Sequence, residues 1–185
     1  MDAFEAIIRR RSVRSYLPDP IPEAVIKKIL EAGRVAPSAG NVQPWHFIIV
    51  TDPEKRRALS TSRFAKFLLE PPLVIVGCGN ERQSPKWYAI DTAIALQNMV
   101  IAATAEGLGT CWIGSFEENK VKGLLKIPEG YRVVAMLAVG YPKDRSDLVG
   151  KIIKTVRPKK SLEEIASAEE FGSSIKIGQK TESAT

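Results

Sequence analysis

Four short stretches of this chain carry residue types that can grip an anion or a polar ring. The first is Arg9-Arg10-Arg11-Ser12-Val13-Arg14-Ser15-Tyr16. Arginines closing a helix complement its dipole, which accounts for Arg9 to Arg11. It does not account for Ser12 and Arg14, which lie past the helix end. Arg10, Ser12 and Arg14 together can surround a phosphate with charge-assisted hydrogen bonds, each worth roughly 1.5–3 kcal/mol. The second stretch, Ala36-Pro37-Ser38-Ala39-Gly40-Asn41-Val42-Gln43-Pro44-Trp45-His46-Phe47, holds three hydrogen-bonding side chains, Ser38, Asn41 and Gln43. Pro37 expels the residue before it from helical geometry, and Gly40 and Asn41 tolerate positive φ, so a sharp turn is expected there. The third, Gly107-Leu108-Gly109-Thr110-Cys111-Trp112-Ile113-Gly114-Ser115, reads as a helix stop, a short strand and a glycine bend. The fourth is the late basic run Lys154-Thr155-Val156-Arg157-Pro158-Lys159-Lys160.

Other chemistries find little support. His46 is the one histidine and has no Ser, Cys or acid neighbour at motif spacing, so it reads as a packed or surface residue. Cys78 and Cys111 each sit in apolar strand-like runs and read as buried small hydrophobes. No metal site is expected from such a ligand set. Gly77-Cys78-Gly79 begins like a dinucleotide fingerprint, but Arg82 stands where its third glycine belongs. No catalytic side chain is assigned.

The elements that must position these stretches follow from periodicity. Asp2 with Glu5 resembles a capping box, and Phe4, Ile7 and Ile8 predict one buried face on a first helix. Pro22 opens a second helix with Val25, Ile26, Ile29 and Leu30 on its apolar side, running to about Ala36. Strand Trp45 to Thr51 and a short helix from Asp52 come next, and a further helix is expected over Ser62 to Glu70 until Pro71-Pro72. Leu73 to Cys78 is a continuous apolar strand, expected to be covered on both faces. From Lys86 to Glu106 runs the longest helical pattern, apolar on nearly every side and therefore covered all round by a sheet and a partner surface. Trp87 and Tyr88 at its start read as core or pocket aromatics. A helix from Glu117 to Leu125, a strand from Arg132 to Pro142 and a last helix at Ser161 to Ile165 complete the pattern.

The 185 residues, 44% hydrophobic and 26% charged, suit one domain over residues 1–170 with a polar tail at 171–185. No apolar run reaches a membrane span, and the first residues are unlike a signal peptide, so no membrane partner and a cytoplasmic location are expected. The net charge of +6 suits a nucleic-acid surface, an anionic small ligand or simply a solvated basic surface. A basic nucleic-acid-binding domain would use Arg9 to Arg14 and Lys154 to Lys160. It would leave Asn41, Gln43 and the glycine bend without a purpose, and no nucleic-acid partner is expected.

In this order the arginine stretch, the Pro-Ser-x-x-Asn-x-Gln-Pro-Trp loop and the Gly-Leu-Gly-Thr-x-Trp strand resemble the FMN-dependent nitroreductase family, over about residues 3 to 165. The resemblance implies an α+β fold, a mixed and mostly antiparallel sheet flanked by helices, in an obligate homodimer with flavin at the interface. It assigns Arg10, Ser12 and Arg14, with Arg11 less closely matched, to the phosphate and ribityl end of FMN, together with Arg157 and Lys159 before the last helix, Lys160 being an alternative match. Arg14 also becomes the candidate for positive charge near the flavin ring. Gly114 and Ser115 would face the ring through main-chain N–H groups, and Ser38, Asn41 and Gln43 would reach the same flavin from the other chain. The implied activity is ping-pong transfer of hydride from NADH or NADPH to a small acceptor such as a nitroaromatic or quinone. Reductive dehalogenation or flavin breakdown on the same scaffold is the alternative.

Overall fold

Asp2 starts the first helix by accepting a 2.7 Å hydrogen bond from Glu5 N, and Arg10 closes it with non-helical backbone (φ −53°, ψ 131°). This helix, α1 (Ala3–Arg9), is held by an Arg9–Glu5 ion pair at 2.6 Å. The computed structural model describes residues 1–60, 70–143, 155 and 158–175. Along it follow α2 (Glu23–Arg34), β1 (Trp45–Val50), α3 (Pro53–Leu59), β2 (Leu73–Asn80), α4 (Tyr88–Ala105), β3 (Gly109–Ile113), α5 (Glu118–Leu125) and β4 (Tyr131–Gly140). The helix expected over Ser62 to Glu70 lies, except for Glu70, outside the described residues.

The four strands form one sheet in the order β1-β2-β4-β3, every pairing antiparallel. Between Gly77 and Cys78 the β2–β4 register slips by one residue. Alternation along β2 builds two cores. Leu73 and Ile75 point to the α2 and α4 side, among Ile29, Leu96, Met99 and Val100. Val74, Val76 and Cys78 point to the other side, among Leu59, Val121, Met136 and Cys111. The apolar run of β2 is thus covered on both faces, as its sequence implies.

Helix α4 is the ruler of the first layer. Gly33 of α2 faces Met99 so closely that a Cβ there would sit 2.2 Å from Met99 Cε, and Asn98 Nδ2 donates to Ala32 O at 3.2 Å. At the other end of α4, Gly107 takes φ 78°, and Leu108 N donates to Ala103 O at 2.9 Å, the six-to-one bond of a glycine-terminated helix.

The buried face expected on the first helix is not observed. Phe4 (72% exposed), Ile7 and Ile8 of α1 are not buried in this chain, and Ala6 is the residue that α1 buries. The reason is geometric: α1 contacts α4 with Ala6 turned inward, which leaves its bulky stripe uncovered. Ile90 and Ile94 on α4 are also exposed, so that helix is not covered all round within the chain.

By compactness the chain divides into two units, Met1–Asp147 and Leu148–Thr185. In the second, the predicted helix at Ser161 to Ile165 is a single turn, with Ser161 N on Glu164 Oε2 (2.8 Å) and Ala166 N on Leu162 O (3.0 Å). Leu162 and Ile165 are exposed, so that turn lacks the buried apolar stripe that sustains a longer helix in water. Among the described residues no helix is long and apolar enough to cross a membrane.

Candidate functional site

The arginine segment is built onto the sheet. Past α1, Ser12 bridges Thr110 of β3 in parallel fashion, and Val13 N donates to Thr110 O at 2.8 Å. Gly109 makes that approach possible, since a Cβ there would fall 2.7 Å from Val13 Cγ2. The segment is then fastened further along. Tyr16 Oη donates to Val13 O (2.5 Å), Leu17 N to Tyr141 O (2.9 Å), and Lys143 N to Ser15 O (3.0 Å). Glu70 accepts from Ser15 Oγ and Tyr16 N at 3.1 and 3.0 Å. Tyr16 is buried, and that burial, with a smaller contribution from Cys111, pushes its phenol far above the usual range, so the hydroxyl remains a donor.

The arginine segment and the glycine bend are therefore neighbours on one edge of the sheet. Ser12 pairs with Thr110, and β3 ends three residues later at Ile113, followed by exposed Gly114 and Ser115. Arg10, Ser12 and Arg14 are half-buried and Arg11 is exposed. No ion pair neutralises Arg10 or Arg11 among the described residues. A Cβ on Gly114 would meet nothing within 4 Å, so packing inside the chain does not demand a glycine there.

The loop of the second stretch is a tight polar turn. Ala39–Asn41 forms a 3-10 turn in which Gly40 (φ 56°) and Asn41 (φ 55°) are left-handed, as their residue types imply, and Gln43 (φ 53°) is left-handed as well. Ser38 Oγ accepts from Gln43 N at 2.9 Å, while Gln43 Nε2 donates to Asn41 O and Oδ1 at 3.2 and 3.1 Å. Asn41 and Gln43 are exposed. The loop is anchored by a residue that sequence reasoning passed over. Asp91, in the first turn of α4 and 3% exposed, accepts from Ala39 N with both carboxylate oxygens at 3.3 Å. The signal was an acid interrupting an otherwise apolar helical run.

Within one chain the loop and the arginine segment are fastened towards opposite ends of α4. The loop sits beside Asp91, at the start of α4, whereas Thr110 follows the end of α4 by five residues. From Asp91 to Ala105 the helix advances about 21 Å. Two surface grooves, of about 440 and 550 Å³, are lined by residues such as Lys27, Arg34 and Trp45, or Ile48, Asp52 and Lys126. None of the sequence-predicted site residues lines either. Lys159 is exposed in the second unit, and Arg157 lies outside the described residues. His46 is exposed, its ring edge-on to Tyr131 at 6.2 Å, and Trp87 is exposed beneath the Lys86 ammonium at 5.2 Å.

Comparison with known proteins gives this arrangement a context. The nitroreductase family model matches residues 7–74 and 63–141. A relative from Archaeoglobus fulgidus, whose name joins NADH dehydrogenase with NAD(P)H nitroreductase, is 38% identical over 154 residues, covering 79% of this chain and 88% of its own. The crystal structure of a nitroreductase family protein from Clostridium novyi superposes with a TM-score of 0.74 at 34% identity, covering 94% of this chain and 97% of that one. An FMN-dependent nitroreductase from Clostridium difficile gives 0.72 at 30% identity, over 77% and 89%. With matching motifs, matching sheet and matching relatives, this chain belongs to the nitroreductase family.

Proposed function

We propose that the protein is a cytoplasmic, homodimeric FMN oxidoreductase that takes hydride from NADH or NADPH and passes it to a nitroaromatic, quinone or related acceptor in a ping-pong cycle. The observation carrying this reading is the docking of the arginine segment against β3, the strand that leads into the exposed Gly114–Ser115 bend. The chemistry of the donor set fits FMN. Arg10, Arg11, Ser12 and Arg14 supply charge and hydrogen bonds suited to a phosphate and ribityl chain, and Gly114 has the open approach that a flat ring needs. When bound, FMN supplies the two-electron chemistry.

The residues of the chain bind and orient. Arg14 places positive charge near the ring, worth about 4 kcal/mol at ~4 Å and an effective dielectric of 20, before desolvation is subtracted. Gly114 and Ser115 offer main-chain N–H groups, and Arg157 and Lys159 are assigned to the phosphate by motif position. Residues 1–170 act as the FMN-binding domain and 171–185 as a tail. Ser38, Asn41 and Gln43 complete the site of the second copy, which the span of α4 between the two clusters favours. The exposed apolar side chains Phe4, Ile7 and Ile8 on α1 and Ile90 and Ile94 on α4 form the surface expected to be covered in that dimer. An obligate interface of this kind buries on the order of 2,000–5,000 Å².

Purification supplies the test. The protein is expected to elute yellow, with about one FMN per chain, and to bleach on anaerobic addition of NADH or NADPH, recovering colour when menadione or a nitrobenzene is added. Colourless protein that takes up no added FMN, or yellow protein that neither nicotinamide bleaches, would refute the proposal.

A further inference from the structure

A carboxylate is expensive to bury unless it is paired or hydrogen-bonded. Asp91 is 3% exposed, and among the described residues its carboxylate has one partner, the backbone N–H of Ala39, 52 positions earlier in the chain. Its place in the first turn of α4 offsets part of the burial, since negative charge is favoured there. A surface acid would gain the same dipole advantage without burial. The buried position is explained by what the carboxylate holds.

What it holds is a strained turn. Asn41 and Gln43 both carry positive φ, which asparagine tolerates and glutamine rarely adopts. Such conformations persist where surrounding contacts over-determine them. The bonds from Gln43 N to Ser38 Oγ, from Asn41 N to Ser38 O and from Val42 N to Ala39 O are internal to the loop. They set its shape but not its position. The two Ala39–Asp91 contacts tie that shape to α4, the same helix that fixes α2 through Gly33–Met99 and Asn98–Ala32.

We infer that Asp91 is a positioning residue for flavin binding: its carboxylate grips Ala39 N–H and so presents Asn41 and Gln43 at the place where the flavin is bound. The inference rests on the assignment of Asn41 and Gln43 to FMN. Asp91 itself touches no part of the ligand in this account; it acts through the loop backbone.

The experiment follows flavin release from the holoprotein on dilution, read by the rise in free FMN fluorescence, beside a thermal melt of each variant. Asp91→Ala is expected to weaken flavin retention by roughly tenfold to a hundredfold, the range set by losing a hydrogen bond to a charged group. Asp91→Asn keeps an oxygen able to accept from Ala39 N and is expected to restore retention to near the parent value, which a change of packing alone would not separate. Ala39→Pro removes the donor without touching α4. The site tolerates proline, because Ala39 opens the 3-10 turn and Ser38 is already extended at φ −143°, ψ 155°. That variant should lose flavin as Asp91→Ala does, and combining it with Asp91→Asn should add nothing further. Should Asp91→Ala fail to fold, Ala39→Pro decides the question. Folded Ala39→Pro protein that retains flavin like the parent overturns the tether. An Asn41→Ala, Gln43→Ala double variant with parental retention overturns the flavin assignment instead, whatever Asp91 does.

Discussion

Val13 Cγ2 stands 2.7 Å from the point where a Cβ on Gly109 would be, and Val13 Cβ stands at 2.8 Å. A β-branched side chain has little freedom to turn aside. Gly109→Ala must therefore lift Val13, and with it the Arg10–Arg14 segment, away from Thr110. The expected cost is about 1–3 kcal/mol of stability, in line with overpacking elsewhere, together with loss of bound FMN. Thermal melts and the visible-to-ultraviolet absorbance ratio of the purified variant check both; a Gly109→Ala protein as stable and as yellow as the parent would show that the docking is dispensable.

Arg14→Glu reverses a charge assigned above to the FMN phosphate and to the ring. FMN is expected to leave while the protein remains folded and dimeric, since Arg14 lies outside both core clusters. Asn41→Ala and Gln43→Ala, each removing a neutral donor, should loosen the flavin more gently, by roughly threefold to tenfold apiece at about 1 kcal/mol per hydrogen bond. Equilibrium dialysis against FMN ranks the three. Full occupancy of the Arg14→Glu variant would remove the phosphate assignment.

Ile8 is 60% exposed on α1, and Phe4 beside it is more so. Placing a charge in a covered apolar interface is strongly unfavourable. Ile8→Asp is expected to convert the proposed dimer into a monomer that no longer retains FMN, because in that proposal each site draws on both chains. Sedimentation velocity measures the mass. A parent protein already monomeric at micromolar concentration would end the two-chain account.

Glu118 bridges α5 to β4. It accepts from Arg132 Nε and Nη2 at 2.8 Å each and from Val133 N at 3.0 Å. The Arg132 hydrogen bonds, helped by the Val133 amide, hold its carboxyl below the usual glutamate range. A carboxyl lowered in the folded state contributes stability above its unfolded pKa, about 4.3, and loses that contribution as pH falls through the folded value. Glu118→Gln is therefore expected to lower the melting temperature by roughly 2 °C at pH 7, the pair being partly exposed. The gap to the parent should close below about pH 4. A difference that stays constant across that range would mean the effect is one of shape, not charge.

Much of the scaffold was legible because local physics wrote it. The cap at Asp2, the helix stop at Gly107, the left-handed Gly40 and Asn41 and the doubly buried β2 follow from residue type and period, and each stands where the chain order implies. The turn at Ser161 to Ile165 falls short of the expected helix because a Leu-Glu-Glu-Ile pattern looks helical while its Leu162 and Ile165 side chains stay exposed. The apolar stripe on α1 stays exposed for a related reason: periodicity reports that a face is apolar, not what packs against it.

The sequence by itself determined the family motifs, the two-faced sheet and the residue types around each candidate contact, since propensity, capping and alternation act over a few neighbouring positions. Tertiary structure alone decided that Ser12 lies against Thr110 and that Asp91 reaches back to Ala39. Those pairs are 98 and 52 residues apart, and contacts of that range depend on how whole layers pack, which no local pattern encodes.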